Sequence, residues 1–533
     1  MQHFWRQIVW TLGISIIVTA AFAGLSVAMD PGWSVGPLST HMRVSDRDTA
    51  ISAKDTTAPK LGTYQVRETH VTVTVSGGHT VAAIVRDPLD GPSDRAAVVL
   101  MHGAGTGKAA EVYGDVATDL ASAGITSIVQ DKRLDNYTAL SRDYDASADD
   151  YLAAVEVLRG WDGVDPAKVG IYAESEGTWI ATIMAKKDPT LDFVALTSPP
   201  VYSGRQQMAM AATECLNIIG APDGVVKLIP RLTSLDFGPF GLKYADFDAA
   251  DYRGALTMPV LVNYGTRDPS MPIEQGAQQI IKDTHEVGND NVTVRYYPTN
   301  HQMRTGSSLS VPGLPLAEHY TENLADWIND VAAGTAADGW QTPLIAGTQP
   351  FQEFAVPMDM EPGLISSVTM LLAIFLFGVL MWGAVAVMCL VSVLRRKRTS
   401  PTSVRKDGRT VSHRFAMPTK ALIVSTLLLT AALTIAFMAY FVFLAKAALA
   451  LSDQSAMLEA GWACLRVAVI VSIVLVSWIM VRKYFFYGPG RIDPDTPKEV
   501  DMRMSAGHSA VIACCGLCAA SALVLGSFFN LVP

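Results

Sequence analysis

Charge is scarce in this chain: 17% of its 533 residues are charged, while 50% are hydrophobic. That excludes a single water-soluble globular domain, in which about a quarter of the residues carry charge. Cysteine is scarcer still. Of six in all, only Cys215 falls between residues 30 and 362, so no disulfide can form within that region. Its stability must come from core burial, which about 330 residues supply comfortably. The same region lacks clustered Lys and Arg, and this excludes the phosphate neutralisation on which nucleic-acid binding depends. It is acidic, whereas residues 363–533 are basic, and the net charge of −9 averages two opposite compositions. The basic charges of the tail sit between apolar runs, where they read as membrane topology and not as an RNA surface.

What is present is long apolar runs. A hydrocarbon layer about 30 Å thick needs about 20 apolar residues of helix. The last third of the chain supplies about four such runs, Leu364 to Leu394, Ala421 to Ala448, Trp462 to Val481 and Ala506 to Leu531. The loop after the first run holds Arg395, Arg396, Lys397, Arg398, Arg405, Lys406, Arg409 and Arg414 against Asp407 alone. By the positive-inside rule it faces the cytoplasm. The segment after the third run, with Arg482, Lys483, Arg491, Lys498 and Arg503, is also net basic and falls on the same side. Near the N-terminus, Arg6 precedes an apolar stretch from Ile8 to Met29. A signal peptide cut after Ala21-Phe22-Ala23 is one reading. An uncleaved anchor is favoured, because the apolar run continues through Leu25 and Val27, beyond a usual signal core. The expected organisation is therefore an anchor at 1–29, an exported domain at 30–362 and an all-α membrane domain with about four transmembrane helices at 363–533. With no nuclear or organellar signal in view, a bacterial plasma membrane is the simplest setting.

Two features of the membrane part invite sharper readings. Cys515-Gly-Leu-Cys518 has the spacing of a redox or zinc pair, but within an apolar helix small packing residues account for it. Lys446 and Arg466 are expected near the outer helix ends, snorkelling to the interface, with an anionic headgroup as the alternative partner.

Within the exported region, residues 30–62 are polar and irregular and read as a tether. Tyr64 to Val75 alternates as a strand, Ser76-Gly77-Gly78-His79 turns, and Thr80 to Arg86 returns, predicting a hairpin. Short, fully apolar segments follow at Ala96 to Met101, Thr126 to Gln130, Val169 to Ala173, Phe193 to Thr197, Pro259 to Tyr264 and Val292 to Tyr297, separated by helical stretches. Strands buried on both faces and alternating with helices predict a parallel sheet covered on each side. Reactive groups then belong at the carboxyl ends of the strands.

The strand ends carry such groups. Ala96 to Met101 runs into His102-Gly103-Ala104-Gly105-Thr106-Gly107, whose backbone N–H groups suit an anion. Nucleotide motifs fail there on spacing: a P-loop needs Gly at His102 and Ser or Thr at Ala109, and Lys108 stands where a third dinucleotide-binding glycine is required. Val169 to Ala173 ends in Ala173-Glu174-Ser175-Glu176-Gly177 ahead of a helix-forming run, the setting of a nucleophile elbow with Ala173 in place of its first glycine. A serine nucleophile needs a base, and the base an orienting carboxylate. Asp268 follows strand Pro259 to Tyr264 and His301 follows strand Val292 to Tyr297, in the order Ser, Asp, His. Taken singly, a loop serine is usually solvated, an Asp-Pro often starts a helix and a lone histidine is usually structural. Three successive strand ends in this order favour a triad. Glu174 and Glu176 flank the serine on opposite sides of the turn, which disfavours a glycosidase carboxylate pair.

These residues resemble the α/β-hydrolase superfamily, which shares the order Ser, Asp, His. Asp131-Lys132-Arg133, Asp165-Pro166-Ala167-Lys168-Val169-Gly170, Ser175-Glu176-Gly177 and Ser198-Pro199-Pro200 resemble its dienelactone-hydrolase and prolyl-oligopeptidase-like branch, over roughly Tyr64 to Val331. Ala173, and Leu134 where the branch usually has glycine, depart from the pattern. The resemblance implies an α/β-hydrolase sheet with helices on both faces, Ser175 as nucleophile, His301 as general acid and base, Asp268 as its orienter, and the Ala104 and Glu176 backbone N–H groups as oxyanion hole. A small cap insertion at about 199–257, with Met208, Met210, Phe237, Phe240 and Tyr244, either lines an acyl pocket or merely packs on the sheet.

The expected function is that of a multi-pass plasma-membrane serine hydrolase whose extracytoplasmic domain cleaves carboxylic esters, with envelope lipids or glycolipids as substrates suggested by location. No cofactor or metal is expected. An acyltransferase using the same triad, a peptidase, and a non-enzymatic binding or accessory module on a hydrolase fold are the alternatives.

Overall fold

Runs such as Ala96-Ala97-Val98-Val99-Leu100-Met101 leave a strand no polar face to turn to water, so the sheet they join must be covered on both sides. The computed structural model describes residues 2–105, 107–138, 140–395, 402–404, 410–412, 415, 417–486, 488–492 and 499–532. Thr106, Lys498 and most of the basic loop, from Arg396 to Arg398, Arg405 to Asp407, Arg409 and Arg414, lie outside the described residues. The chain forms two compact units. One comprises Val35–Cys215 and Pro239–Met358, and the other Met1–Ser34, Leu216–Gly238 and Asp359–Pro533.

The first unit is built on strands β1 (Val66–Thr74), β2 (Thr80–Pro88), β3 (Arg95–Met101), β4 (Thr126–Gln130), β5 (Val164–Glu174), β6 (Val194–Thr197), β7 (Val260–Gly265), β8 (Val292–Tyr297) and β9 (Ile345–Gly347). In chain order the helices are α1 (Gln2–Ala28), α2 (Gly114–Ser122), α3 (Tyr144–Arg159), α4 (Gly177–Lys187), α5 (Gly204–Ile218), the short α6 (Asp223–Val226), α7 (Leu228–Thr233), α8 (Lys243–Asp246) and α9 (Ala250–Arg253), then α10 (Gln275–Glu286) and α11 (Tyr320–Ala332).

The sheet order is β1-β2-β4-β3-β5-β6-β7-β8-β9. Strand β2 is antiparallel to both of its neighbours, and from β4 to β9 every pairing is parallel. The two-residue period of β3 divides its side chains between two cores. Ala97, Val99 and Met101 pack with Tyr151, Trp179 and Ile180 from α3 and α4, while Ala96, Val98 and Leu100 pack with Leu120, Leu324 and Trp327 from α2 and α11. Each buried Val or Leu contributes about 1.5–3 kcal/mol to folding. From β3 the chain steps one way to β4 and then crosses back to β5, so the strand order reverses between β3 and β5. Ligand sites of open α/β sheets form at the carboxyl ends beside such a reversal.

Two expectations change here. Residues 35–62 are irregular yet packed on this unit and are no free tether: bridges join Pro37 to Phe354, Asp46 to Ala346 and Ala53 to Trp340, and Met42 and Ile51 are buried. Strand β9 is a ninth strand that its three residues were too few to announce by periodicity.

The second unit holds α1, α12 (Val368–Arg395), α13 (Met417–Leu449), α14 (Ser455–Phe486) and α15 (Ala506–Phe528). Among the described residues five helices are long and apolar enough to cross a membrane, with spans Phe4–Ala28, Val368–Leu394, Pro418–Leu449, Ser455–Tyr484 and Ala506–Phe528. Val385, Leu422, Ile423, Ile479, Val511, Ile512 and Cys515 form a core shared by α12, α13, α14 and α15, while Ile16, Leu428 and Ile435 face outward, as lipid-facing side chains do. Helix α14 begins two turns before the expected Trp462, so about 17 Å of helix precedes Arg466. Arg466 therefore lies within the span, whereas Lys446 is exposed in the last turn of α13.

The insertion expected as one cap is divided, because Leu216–Gly238 belongs to the helical unit. This segment gathers one set of helix ends. Gln454, just before α14, donates its backbone N–H to the Ile219 carbonyl at 3.1 Å, and Asp236 pairs with Ser367, just before α12. Arg231 is buried, with Nη1 donating to the carbonyls of Ser527 (2.8 Å) and Phe528 (2.7 Å) and Nη2 to that of Ser26 (2.7 Å). The last carbonyls of a helix have no partner within it, and one guanidinium satisfies those of both α1 and α15. The connections between the opposite ends form a four-stranded sheet of β10 (Thr402–Val404), β11 (Thr410–Ser412), β12 (Gly488–Ile492) and β13 (Glu499–Met504), ordered β10-β11-β13-β12. The loops following α12 and α14 are thus hydrogen-bonded together, as loops on one side of a bilayer can be.

Candidate active site

Ser175 follows β5 with φ +55°, in the left-handed region that a non-glycine residue enters only under constraint. The constraint is visible. Its N–H donates to the Thr197 carbonyl of β6 at 2.8 Å, and the next residues begin α4 at once. Glycine is required on both sides of this contact: a Cβ at Gly177 would lie 2.7 Å from the His102 carbonyl oxygen, and one at Gly103 would lie 3.0 Å from Ser175 Cβ. The Gly-rich loop after β3 therefore lies directly against the serine turn. Ala173, standing where the elbow pattern has glycine, is fully buried.

At the ends of β7 and β8, His301 Nδ1 lies 2.6 Å from Asp268 Oδ2. The other carboxylate oxygen of Asp268 accepts from Ser270 N–H at 2.9 Å and from Ser270 Oγ at 2.5 Å. Burial would raise the Asp268 pKa, but the charge and hydrogen bond of His301 outweigh it and hold the carboxyl below its ordinary value. Burial would likewise lower His301; Asp268 outweighs this too and holds the imidazole above its ordinary value. Ser198, in a left-handed turn after β6, donates from Oγ to the His301 carbonyl at 2.7 Å and fixes the histidine backbone. Among the described residues Ser175 Oγ forms no hydrogen bond, so the structure joins Asp268 to His301 but does not close the bond from His301 to Ser175. Such contacts commonly tighten only with substrate bound.

The flanking glutamates part company. Glu174 is buried, with burial raising its carboxyl above the ordinary range and His301 and Arg304 opposing. Glu176 is buried as a carboxylate in a cage: Tyr137, Tyr144 and Arg142 all donate to it, and Lys132 Nζ stands 4.0 Å away. Its side-chain oxygens are committed to these partners. Tyr137, Arg142, Tyr144 and Ser270 were not singled out from the sequence, and Ser198 entered only as part of the resemblance, with no role given to it. No spacing marks them, since they come from loops and, for Tyr144, a helix start whose placement only the fold reveals. His102, next to the glycine loop, lies against Gln130 with Nε2 2.7 Å from its carbonyl, and burial pushes its pKa down to about 4. It is a neutral structural donor. No cluster of three metal-ligating side chains occurs among the described residues.

The sheet order, the reversal beside β3 and β5, and the serine turn at that point define an α/β-hydrolase fold. No protein-family profile matches the chain, and no curated protein matches it. Solved structures similar to it include the esterase Est1E from Butyrivibrio proteoclasticus, at 14% identity and TM-score 0.33, covering 49% of this chain and 96% of that one. The Pyrococcus furiosus esterase Pf2001 is 17% identical with TM-score 0.34, covering 52% and 97%. A cold-adapted esterase from an Arctic intertidal metagenomic library is 19% identical with TM-score 0.33, covering 52% and 98%.

Proposed function

We propose that the chain is a serine hydrolase of carboxylic esters, anchored in the plasma membrane with its sheet unit on the extracytoplasmic side. The observation that carries the reading is the pair of buried Asp268 and partly exposed His301 at 2.6 Å, at the same sheet edge as a serine held at φ +55°. Ser175 attacks the ester carbonyl while His301 takes its proton, and the Ala104 and Glu176 N–H groups receive the oxyanion. His301 then protonates the leaving alcohol and activates water to release the acid. Asp268 keeps Nδ1 protonated and offsets the imidazolium charge.

Orientation is supported by the basic residues between the spans, together with the pairing of the two connections that carry them. Envelope lipids or glycolipids are the substrate class that such a location favours. A fluorophosphonate probe should label the full-length protein and not Ser175→Ala; labelling that survives the substitution would sink the nucleophile assignment. For orientation, a cysteine introduced at Ser403 should react with an impermeant maleimide only in permeabilised cells, and labelling of intact cells would reverse the topology.

A further inference from the structure

The Gly103 carbonyl and the Ala104 N–H belong to one peptide unit. In a trans peptide these two groups point in opposite directions, and among the described residues there is no cis bond. Whatever holds the carbonyl therefore aims the N–H. Lys132, just after β4, does so with Nζ 2.7 Å from the Gly103 oxygen, its side chain almost wholly buried. The same ammonium lies 3.7 Å from the centre of the Tyr137 ring and 4.0 Å from Glu176 Oε2. The Tyr137 hydroxyl links the parts, accepting from Gly105 N–H at 3.2 Å and donating to Glu176. Lys132 N–H donates to the Gly107 carbonyl at 3.0 Å, tying down the far end of the glycine loop.

We propose that Lys132 is the positioning residue of the oxyanion hole, its ammonium orienting and polarising the Gly103–Ala104 peptide while Glu176 couples it to the second donor. The inference rests on the hydrolase reading above. A cation on the carbonyl draws electron density from the amide and makes its N–H a stronger donor. Glu176 then serves twice: its N–H is one arm of the hole, and its carboxylate steadies the lysine that aims the other. No bond is made or broken by Lys132.

The charged and titratable groups facing it are Glu176 at the start of α4, Tyr137 and Arg142 from the loop before α3, and neutral His102 after β3. Burial pushes the Lys132 pKa down to about 8. The ammonium is present below that value and lost above it, so the wild-type rate should fall as pH rises through about 8.

The test uses the full-length detergent-solubilised protein and a p-nitrophenyl ester. Lys132→Met should lower kcat about 10- to 100-fold, less than removal of an oxyanion donor outright, with KM nearly unchanged and the alkaline fall abolished. Lys132→Gln, whose amide can still donate to Gly103, should recover part of the loss without restoring the alkaline fall, and it replaces the Met variant if that one does not fold. A kcat within threefold of wild type in the folded variant, or an alkaline fall that persists in it, overturns the inference while the Ser175 assignment stands. Fluorophosphonate labelling of Ser175→Ala overturns both.

Discussion

In the sheet unit the buried Glu176 carboxylate is met by side chains, Tyr137 and Arg142 from the loop before α3 and Tyr144 from its first turn, with Lys132 after β4 close by. In the helical unit the buried Arg231 guanidinium is met almost entirely by backbone, the terminal carbonyls of α1 and α15. Both arrangements relieve the cost of burying charge, but they serve different ends. Side chains converging on one group fix the angle of a loop, which a reacting centre requires. Carbonyls converging on one group fasten helix ends, and any long cation with enough donors suffices. The contrast follows from the solvent each unit was built for. The sheet unit buries its apolar residues in two cores, whereas the helices leave many apolar residues outward.

The sharpest way to break this contrast is to remove chemistry from one unit alone. Ser175→Ala should lower kcat on a p-nitrophenyl ester by about a million-fold, the loss seen when a triad nucleophile is deleted, with the melting temperature of the helical unit unmoved. Asp268→Asn should cost about ten-thousand-fold and also shift the acid limb of the pH profile. Because Asp268 holds His301 above its ordinary value, the wild-type rate should fall as pH drops through a point above about 6.5. Without the carboxylate the lowering effect of burial is opposed only by the smaller influence of Glu174, and the limb should move to lower pH. A limb that stays in place would mean that another group sets it.

Stability variants test the comparison itself. Glu176→Ala strands Arg142 and Lys132 near an empty space and should cost about 3–5 kcal/mol, read as lost thermal stability of the sheet unit. Arg231→Met withdraws the guanidinium from the carbonyls of Ser26, Ser527 and Phe528, the first two of which keep another donor, and should cost roughly 1–3 kcal/mol, with kcat and KM intact. If Arg231→Met slowed catalysis as much as Glu176→Ala, the division between positioning and fastening would be wrong.

The sequence made most of the sheet legible because burial on both faces writes itself as apolar runs, as at β3. It also brought out Ser175, Asp268 and His301, each just beyond such a run. The side chains that hold them were hidden, since Tyr137 reaches Glu176 across 39 positions and Ser198 reaches His301 across 103. Nothing local in either residue reports such a partner. The divided insertion was hidden for a related reason. Leu228 and Ile229 look alike whether they pack on a sheet or among helices, and only the Arg231 contacts distinguish the two.

The smallest effect is expected at the cysteines of α15. Cys515 and Cys518 are three positions apart on one helical face, both buried and both unbridged. Cys515 packs with Val385, Leu422 and Ile512, with the partly buried Cys389 and Cys514 against the same cluster, and no group of three metal-ligating side chains occurs among the described residues. A thiol in such surroundings acts as a small hydrophobe, so Cys515→Ala should cost about 1 kcal/mol, the ordinary loss for a small core truncation. A metal or disulfide role would act differently, because removing either cysteine would forfeit the whole site. The measurement is therefore the double variant against the singles. Small additive shifts in melting temperature, unaffected by chelator or reductant, fit packing, whereas a large loss already complete in either single variant would return the pair to chemistry.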